Sequence, residues 1–226
     1  VFIEDACQSL GSSYNGVIAG TIGDISTLSF NANKVVAGIA GGGAIITDGD
    51  TEIFKKLRKH GNNEILGYNS KMLLFNAKVI NHRLNKLDSY IEKRQEIAKQ
   101  YDEALKDFVV VQPNTGGHNY HKYVIRLQNK KLRDKIKDKL GAKVHYDKPL
   151  SENKMYDNIE HRKDSTYFSK IVCDTVLTLP LHPYMTQGEI DKIINTILII
   201  LEQDNNKFVK SMKKIIGDDL FDSDLL

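Results

Sequence analysis

Two helical patterns follow each other almost without interruption from Met72 to Lys106, with short apolar runs on both sides of them. That order of elements points to an α/β fold built around a central helical stretch. Leu87, Ile91, Arg94, Ala98, Tyr101 and Leu105 recur at three- and four-residue spacing, which gives the second pattern a single seam. Glu92, Lys93, Glu96 and Lys99 fill the remainder and predict a solvated face with ion pairs of small value. Such a helix suits a link between domains. The chain is therefore read as a first region over residues 1–108, a small α+β region over 109–204 and a divergent tail over 205–226.

In the first region, Val1-Phe2-Ile3 reads as the buried interior of a strand that leaves the sheet at Glu4-Asp5. Gly11 to Gly23 is rich in Gly, Ser and Asn and predicts a loop or short strands; Ile25–Phe30 and Ala44–Thr47 predict strands. Thr51–His60 predicts a helix capped by Asp50 or Thr51, and Gly61–Asn69 a loop. After the break at Pro113–Gly117, the pattern predicts a strand over 120–127, a helix over 131–140 stopped by Gly141, and a strand-like Lys143–Tyr146. Thr186 and Glu189 form a capping box that opens the last helix. Beyond it, Phe208 to Ile216 and the acidic Asp218–Asp224 read as a loosely attached tail.

Composition excludes several classes. With 32 basic and 29 acidic side chains in 226 residues, the net charge of +3 demands neither a nucleic-acid nor an anionic-membrane partner. The lysines of residues 130–139 alternate with Asp134 and Asp138 and predict a solvated helix face. The apolar stretch Ile193–Leu201 is far shorter than a membrane span, so the expected compartment is the cytoplasm. Cys7 and Cys173 lie in apolar runs without metal-type spacing and read as buried free thiols; no metal site is expected.

Lys34 lies on a short turn after Ser29-Phe30 and before Gly41-Gly42-Gly43, about thirty residues beyond Asp5 at a strand end. An amine, a carboxylate and a hydroxyl in one short span are the residue types a pyridoxal phosphate site needs: a Schiff-base lysine, an acid for the pyridine nitrogen and a phosphate donor. Taken singly, a loop lysine is surface solvation, Asp5 is a helix cap and the glycines are a tight turn.

The ordered motifs say more. Glu4-Asp5-Ala6-Cys7-Gln8-Ser9-Leu10-Gly11, Gly23-Asp24-Ile25-Ser26, Ser29-Phe30 with Lys34, and Gly42-Gly43-Ala44 resemble the DegT/DnrJ/EryC1/StrS family of nucleotide-sugar aminotransferases. The likeness continues through Gly67–Met72, His121–Arg126, Val144–Tyr146 and Leu177–Pro183, and so runs over most of the chain. It implies the end of a large mixed-sheet domain of the aspartate aminotransferase-like fold type I, followed by a small C-terminal domain. It implies that Lys34 carries pyridoxal 5'-phosphate and moves the substrate proton, that Asp5 pairs with the pyridine nitrogen, and that Gln8 lies near the ring hydroxyl. Ser29 would hold the phosphate, Asn69 the phosphate of a second subunit in a homodimer with shared active sites, and His121, His145 and Tyr146 would lie toward the substrate. The implied partners are glutamate and a nucleotide-linked keto sugar, a dTDP-3-keto- or 4-keto-deoxyhexose.

Departures accompany the matches. Ala40-Gly41-Gly42-Gly43 stands where relatives often read Gly-Asp-Gly-Gly or Gly-Glu-Gly-Gly, so the acidic residue is gone; Lys71-Met72-Leu73 and Phe75-Asn76-Ala77 replace Arg-Leu-Asp and Gln-Ala-Ala; Ser151 replaces a His. Relatives also carry a long segment before the strand that ends at Asp5. The chain therefore reads as a fragment that does not transaminate alone and leaves a strand edge open. A non-catalytic oligomerisation or regulatory module is the alternative. A dehydratase on the same scaffold is a further one, and Lys34 argues against it because some of those enzymes have His there.

Overall fold

The computed structural model describes residues 1–113, 116–158 and 166–216, with side chains described through Asn205. The chain forms two compact units, Val1–Glu96 with Pro113–His121, and Ile97–Gln112 with Lys122–Leu226.

The first unit contains β1 (Ile3–Asp5), β2 (Ser13–Tyr14), β3 (Val17–Ile18), β4 (Ile25–Ser29), β5 (Gly43–Ile46), α1 (Glu52–Leu57), α2 (Leu74–Leu84) and the first half of α3 (Leu87–Leu105). β1 and β5 flank β4, β1 parallel with Asp5 opposite Thr27, and β5 antiparallel with Gly43 opposite Ser29. β2 and β3 make a two-residue hairpin around Asn15-Gly16, both at positive φ, as a tight primed turn requires. Ala6, Leu28, Phe30, Val36 and Ile80 form the buried core, with Leu10, Ala44, Met72, Leu84 and Leu87 packed against it.

Two expectations change here. Val1, Phe2 and Ile3 are not interior: they are 100%, 59% and 65% exposed, because among the described residues β1 has a neighbour on one side only. The strand also runs further than the apolar residues: Glu4 lies within β1, which ends at Asp5 as expected and passes into a turn at Cys7. Glu4 can stay there because its carboxylate accepts from the backbone N–H groups of Gly20 (2.7 Å), Ile22 (2.9 Å) and Gly23 (3.2 Å) and from the Ser26 hydroxyl (3.0 Å). These bonds, that from Gly20 foremost, hold its pKa below the ordinary carboxylate value.

At α1, Asp50 does the capping: its carboxylate accepts from Glu52 N at 2.9 Å, while Thr51 makes no side-chain cap bond. The helix stops at Leu57 rather than His60, since His60 and Gly61 take positive φ and His60 N–H turns to the Tyr68 carbonyl. α2 and α3 match the two helical patterns. Arg94, Ile97, Ala98, Tyr101 and Leu105 are buried along the expected seam.

The second unit adds to the second half of α3 the elements β6 (Val110–Val111), β7 (Tyr123–Arg126), α4 (Lys130–Leu140), α5 (Tyr167–Thr175), β8 (Val176–Leu179) and α6 (Gln187–Ile216). Its sheet has the order β6-β7-β8 and is antiparallel throughout. Tyr101, Tyr123, Ile125, Ile136, Leu177, Ile190 and Ile197 fill its core. Asn129 caps α4 by accepting from Leu132 N at 2.9 Å, and Gly141 ends it at φ 61°.

The expected solvated face of α4 is broken by Arg133. This residue is 3% exposed and donates to the carbonyls of Cys173 (3.0 Å) and Val176 (3.3 Å). The strand expected over 143–146 reduces to one bridge between Lys143 and Thr178. Cys7 and Cys173 are free thiols, half-buried rather than buried.

The capping box is present: Glu189 accepts from Thr186 N at 2.8 Å and Thr186 Oγ1 accepts from Glu189 N at 3.3 Å. The helix it opens runs to Ile216, past the start of the expected tail at 205; Asp218–Asp224 lie outside the described residues, as do Asn114 and Thr115. No described helix is long and apolar enough to cross a membrane.

Candidate functional site

Parallel pairing brings the carboxyl ends of β1 and β4 to one edge of the sheet, the edge where open α/β sheets hold ligands. Asp5 ends β1 and Ser29 ends β4. The Asp5 carboxylate is exposed and accepts from Cys7 N at 3.0 Å and the Thr27 hydroxyl at 3.4 Å. The Cys7 thiol, then the Cys7 N–H, the Thr27 hydroxyl and the charge of Lys34 hold its pKa below the ordinary value, so Asp5 is an anion at neutral pH. The same neighbourhood, with desolvation as the largest cause, pushes the Cys7 thiol up and keeps it protonated.

Lys34 is half-buried in the loop between β4 and β5, with its N–H on the Asn31 carbonyl at 3.0 Å. The base of this loop is closed by Phe30, whose N–H bonds Gly42 O (2.8 Å) and whose carbonyl accepts from Gly38 N (2.7 Å). Lys34, Ser29, Gln8, Cys7 and His121 line one small pocket with Leu10, Val35 and Val36. Its enclosed space is about 10 Å³, room for a single water, so these side chains make a wall rather than an enclosure.

His121 arrives from a distant part of the chain. Asn119, 1% exposed, accepts His121 N–H on its Oδ1 at 2.9 Å and donates from Nδ2 to the carbonyls of Gln8 and Leu10, both at 3.0 Å. Arg94 donates to the Tyr120 carbonyl at 2.9 Å and Gln95 to the His118 carbonyl at 3.0 Å. Burial lowers the Arg94 pKa to about 10, which leaves it charged.

The structure thus brings Gln8, Ser29, Lys34 and His121 to one pocket, with Asp5 beside it. Asn69 stays in the first unit but on an exposed stretch bridged to Lys59, outside the pocket lining. His145 and Tyr146 belong to the second unit. There His145 Nδ1 lies 3.0 Å from the Thr178 hydroxyl, burial lowers its pKa, and Tyr146 is 70% exposed. A larger groove in that unit, between α4 and α6, contains none of the expected site residues. Sequence reasoning missed Asn119 and the buried Asn76, whose bonds go to backbone groups far away in the chain. The departure of Phe75-Asn76-Ala77 from the relatives' Gln-Ala-Ala was the one visible signal at Asn76.

The model of the DegT/DnrJ/EryC1/StrS aminotransferase family matches residues 1–198. A crystal structure of an aminotransferase of this family from Brucella abortus superposes with a TM-score of 0.79 at 31% identity, covering 87% of this chain and 56% of that one. A dTDP-3-amino-3,6-dideoxy-alpha-D-galactopyranose transaminase of Aneurinibacillus thermoaerophilus is 28% identical over 208 residues, 86% of this chain and 56% of its own length. A UDP-N-acetyl-3-dehydro-alpha-D-glucosamine 3-aminotransferase of Acidithiobacillus ferrooxidans is 29% identical over 211 residues, again 86% and 56%. The chain therefore spans a little over half the length of the relatives it matches. With the strand-end carboxylate, the loop lysine and the shared fold in agreement, this chain belongs to the DegT/DnrJ/EryC1/StrS family of pyridoxal-phosphate-dependent aminotransferases.

Proposed function

We propose that the chain carries the lysine-bearing portion of an aminotransferase that moves an amino group from glutamate to the keto group of a nucleotide-linked deoxyhexose. The observation that supports this reading is the gathering of Lys34, Ser29, Gln8 and His121 at one pocket beside an ionised Asp5.

The donor set suits pyridoxal phosphate: an amine for the aldehyde, a carboxylate held anionic for a protonated ring nitrogen, and a hydroxyl for the phosphate. When bound, the cofactor supplies the electron sink that lets a proton leave the substrate carbon. Lys34 would hold the cofactor through its amine and would carry that proton. Asp5 would pair with the ring nitrogen, Gln8 would lie near the ring hydroxyl, and Ser29 would bond the phosphate. The exposed Asn69 reaches the phosphate of a second copy in a homodimer. His121, which lines the same pocket as Lys34, would lie toward the sugar substrate.

Both curated relatives are named for amination at carbon 3, on a dTDP- and a UDP-linked sugar respectively. That supports a dTDP-3-keto-deoxyhexose as the first substrate to test, with a 4-keto isomer second. The test is to express the protein from its full reading frame and add pyridoxal phosphate, glutamate and the keto sugar nucleotide. Mass spectrometry should detect the amino sugar, and none with Lys34→Ala. Neither product nor a cofactor absorbance band in the wild type would leave the non-catalytic interaction module as the better account.

A further inference from the structure

Asn76, in the first turn of α2 and 4% exposed, holds three backbone groups of the loop that carries Lys34. Its Oδ1 accepts from Ile39 N at 2.8 Å and Ala40 N at 3.2 Å, and its Nδ2 donates to Gly41 O at 2.6 Å. Two turns further along the helix, Arg83 Nη1 donates to Ala37 O. Gly38 lets the loop lie this close: a Cβ there would meet Gly41 O at 2.5 Å and Asn76 Oδ1 at 2.6 Å. The other anchors are Phe30, which bonds Gly38 and Gly42, and Val36, which is fully buried in the core. Residues 31–42 join no strand pairing, so these few contacts set where Lys34 stands.

We propose that Asn76 is a positioning residue for the Lys34 amine, acting through the loop backbone without touching cofactor or substrate. The inference rests on the reading of Lys34 as the cofactor-bearing lysine. An amide suits the place because it accepts and donates at once. A carboxylate of the same shape keeps the two accepted bonds but sets an anionic oxygen against the Gly41 carbonyl, where no hydrogen remains to share.

Asn76→Asp is therefore the sharp test, with Asn76→Ala beside it. Hydrogen exchange reads the amides of residues 35–43. Peptide mass spectrometry after borohydride reduction reads the rate at which pyridoxal phosphate attaches to Lys34. In Asn76→Asp, exchange at Gly38–Gly42 should quicken and attachment at Lys34 slow, each by about tenfold. Exchange in the β6-β7-β8 sheet should not change, which separates repositioning from general unfolding. Wild-type exchange and attachment rates in Asn76→Asp would overturn the proposal. If wild-type protein forms no adduct at Lys34, the functional reading fails; the exchange arm then still decides whether Asn76 fixes this loop.

Discussion

Asn119 reaches back across 111 residues of sequence to donate its side-chain amide to the Gln8 carbonyl oxygen at 3.0 Å. The same amide nitrogen serves the Leu10 carbonyl, and its oxygen takes the His121 N–H. One buried side chain thus joins the loop that follows β1 to the segment that brings His121 to Lys34.

Replacing it should be costly. Asn119→Ala leaves two carbonyls and one N–H short of partners at a site that is 1% exposed, and should destabilise the chain by about 2–4 kcal/mol. Urea denaturation measures it. A midpoint equal to wild type would mean that these groups find water or new partners without loss.

The Asp5 carboxylate is held below its ordinary pKa chiefly by Cys7, with Lys34 the smaller influence. Because the folded value lies below the unfolded one, the stability it contributes is fully present above the unfolded pKa and is lost as pH falls through the folded one. Carboxyl-carbon NMR titration should find the Asp5 pKa raised by Cys7→Ala more than by Lys34→Ala. The reverse order would show that charge, not hydrogen bonding, governs this carboxylate.

Two glycines should respond in opposite ways. Gly38→Ala places a methyl against Gly41 O and Asn76 and should cost about 1–3 kcal/mol by overpacking. At Gly188, in the first turn of α6, an added Cβ meets nothing within 4 Å, so Gly188→Ala should be neutral or stabilise by up to about 1 kcal/mol. Thermal melts of both variants check the pair; equal losses would contradict the close approach at Gly38.

The elements with strong local signals were readable from the sequence: the α2 and α3 patterns, the β4 and β5 runs, the Gly141 stop and the Thr186–Glu189 box. Those set by distant partners were not. β8, Val176–Leu179, is buried on both faces and has no alternation to read. β6 is two residues long and exists through its pairing with β7. Lys143 looked like the start of a strand, yet only a single bridge to Thr178 forms. α5 was absent from the sequence reading altogether. In the site, residue types pointed to Ser29 and Lys34, the family resemblance added Gln8 and His121, and the structure gathers the four at one pocket. Asn76 and Asn119 were illegible as site-builders because their partners are backbone atoms 35 to 111 residues away.

The central claim concerns which amine takes the cofactor. The protein from its full reading frame is mixed with limiting pyridoxal phosphate, reduced with borohydride, digested and mapped by mass spectrometry. The account predicts the adduct on the Lys34 peptide, lost in Lys34→Ala and weakened in Asp5→Asn. Label scattered over the exposed lysines, with Lys34 unmodified in folded protein, would contradict it.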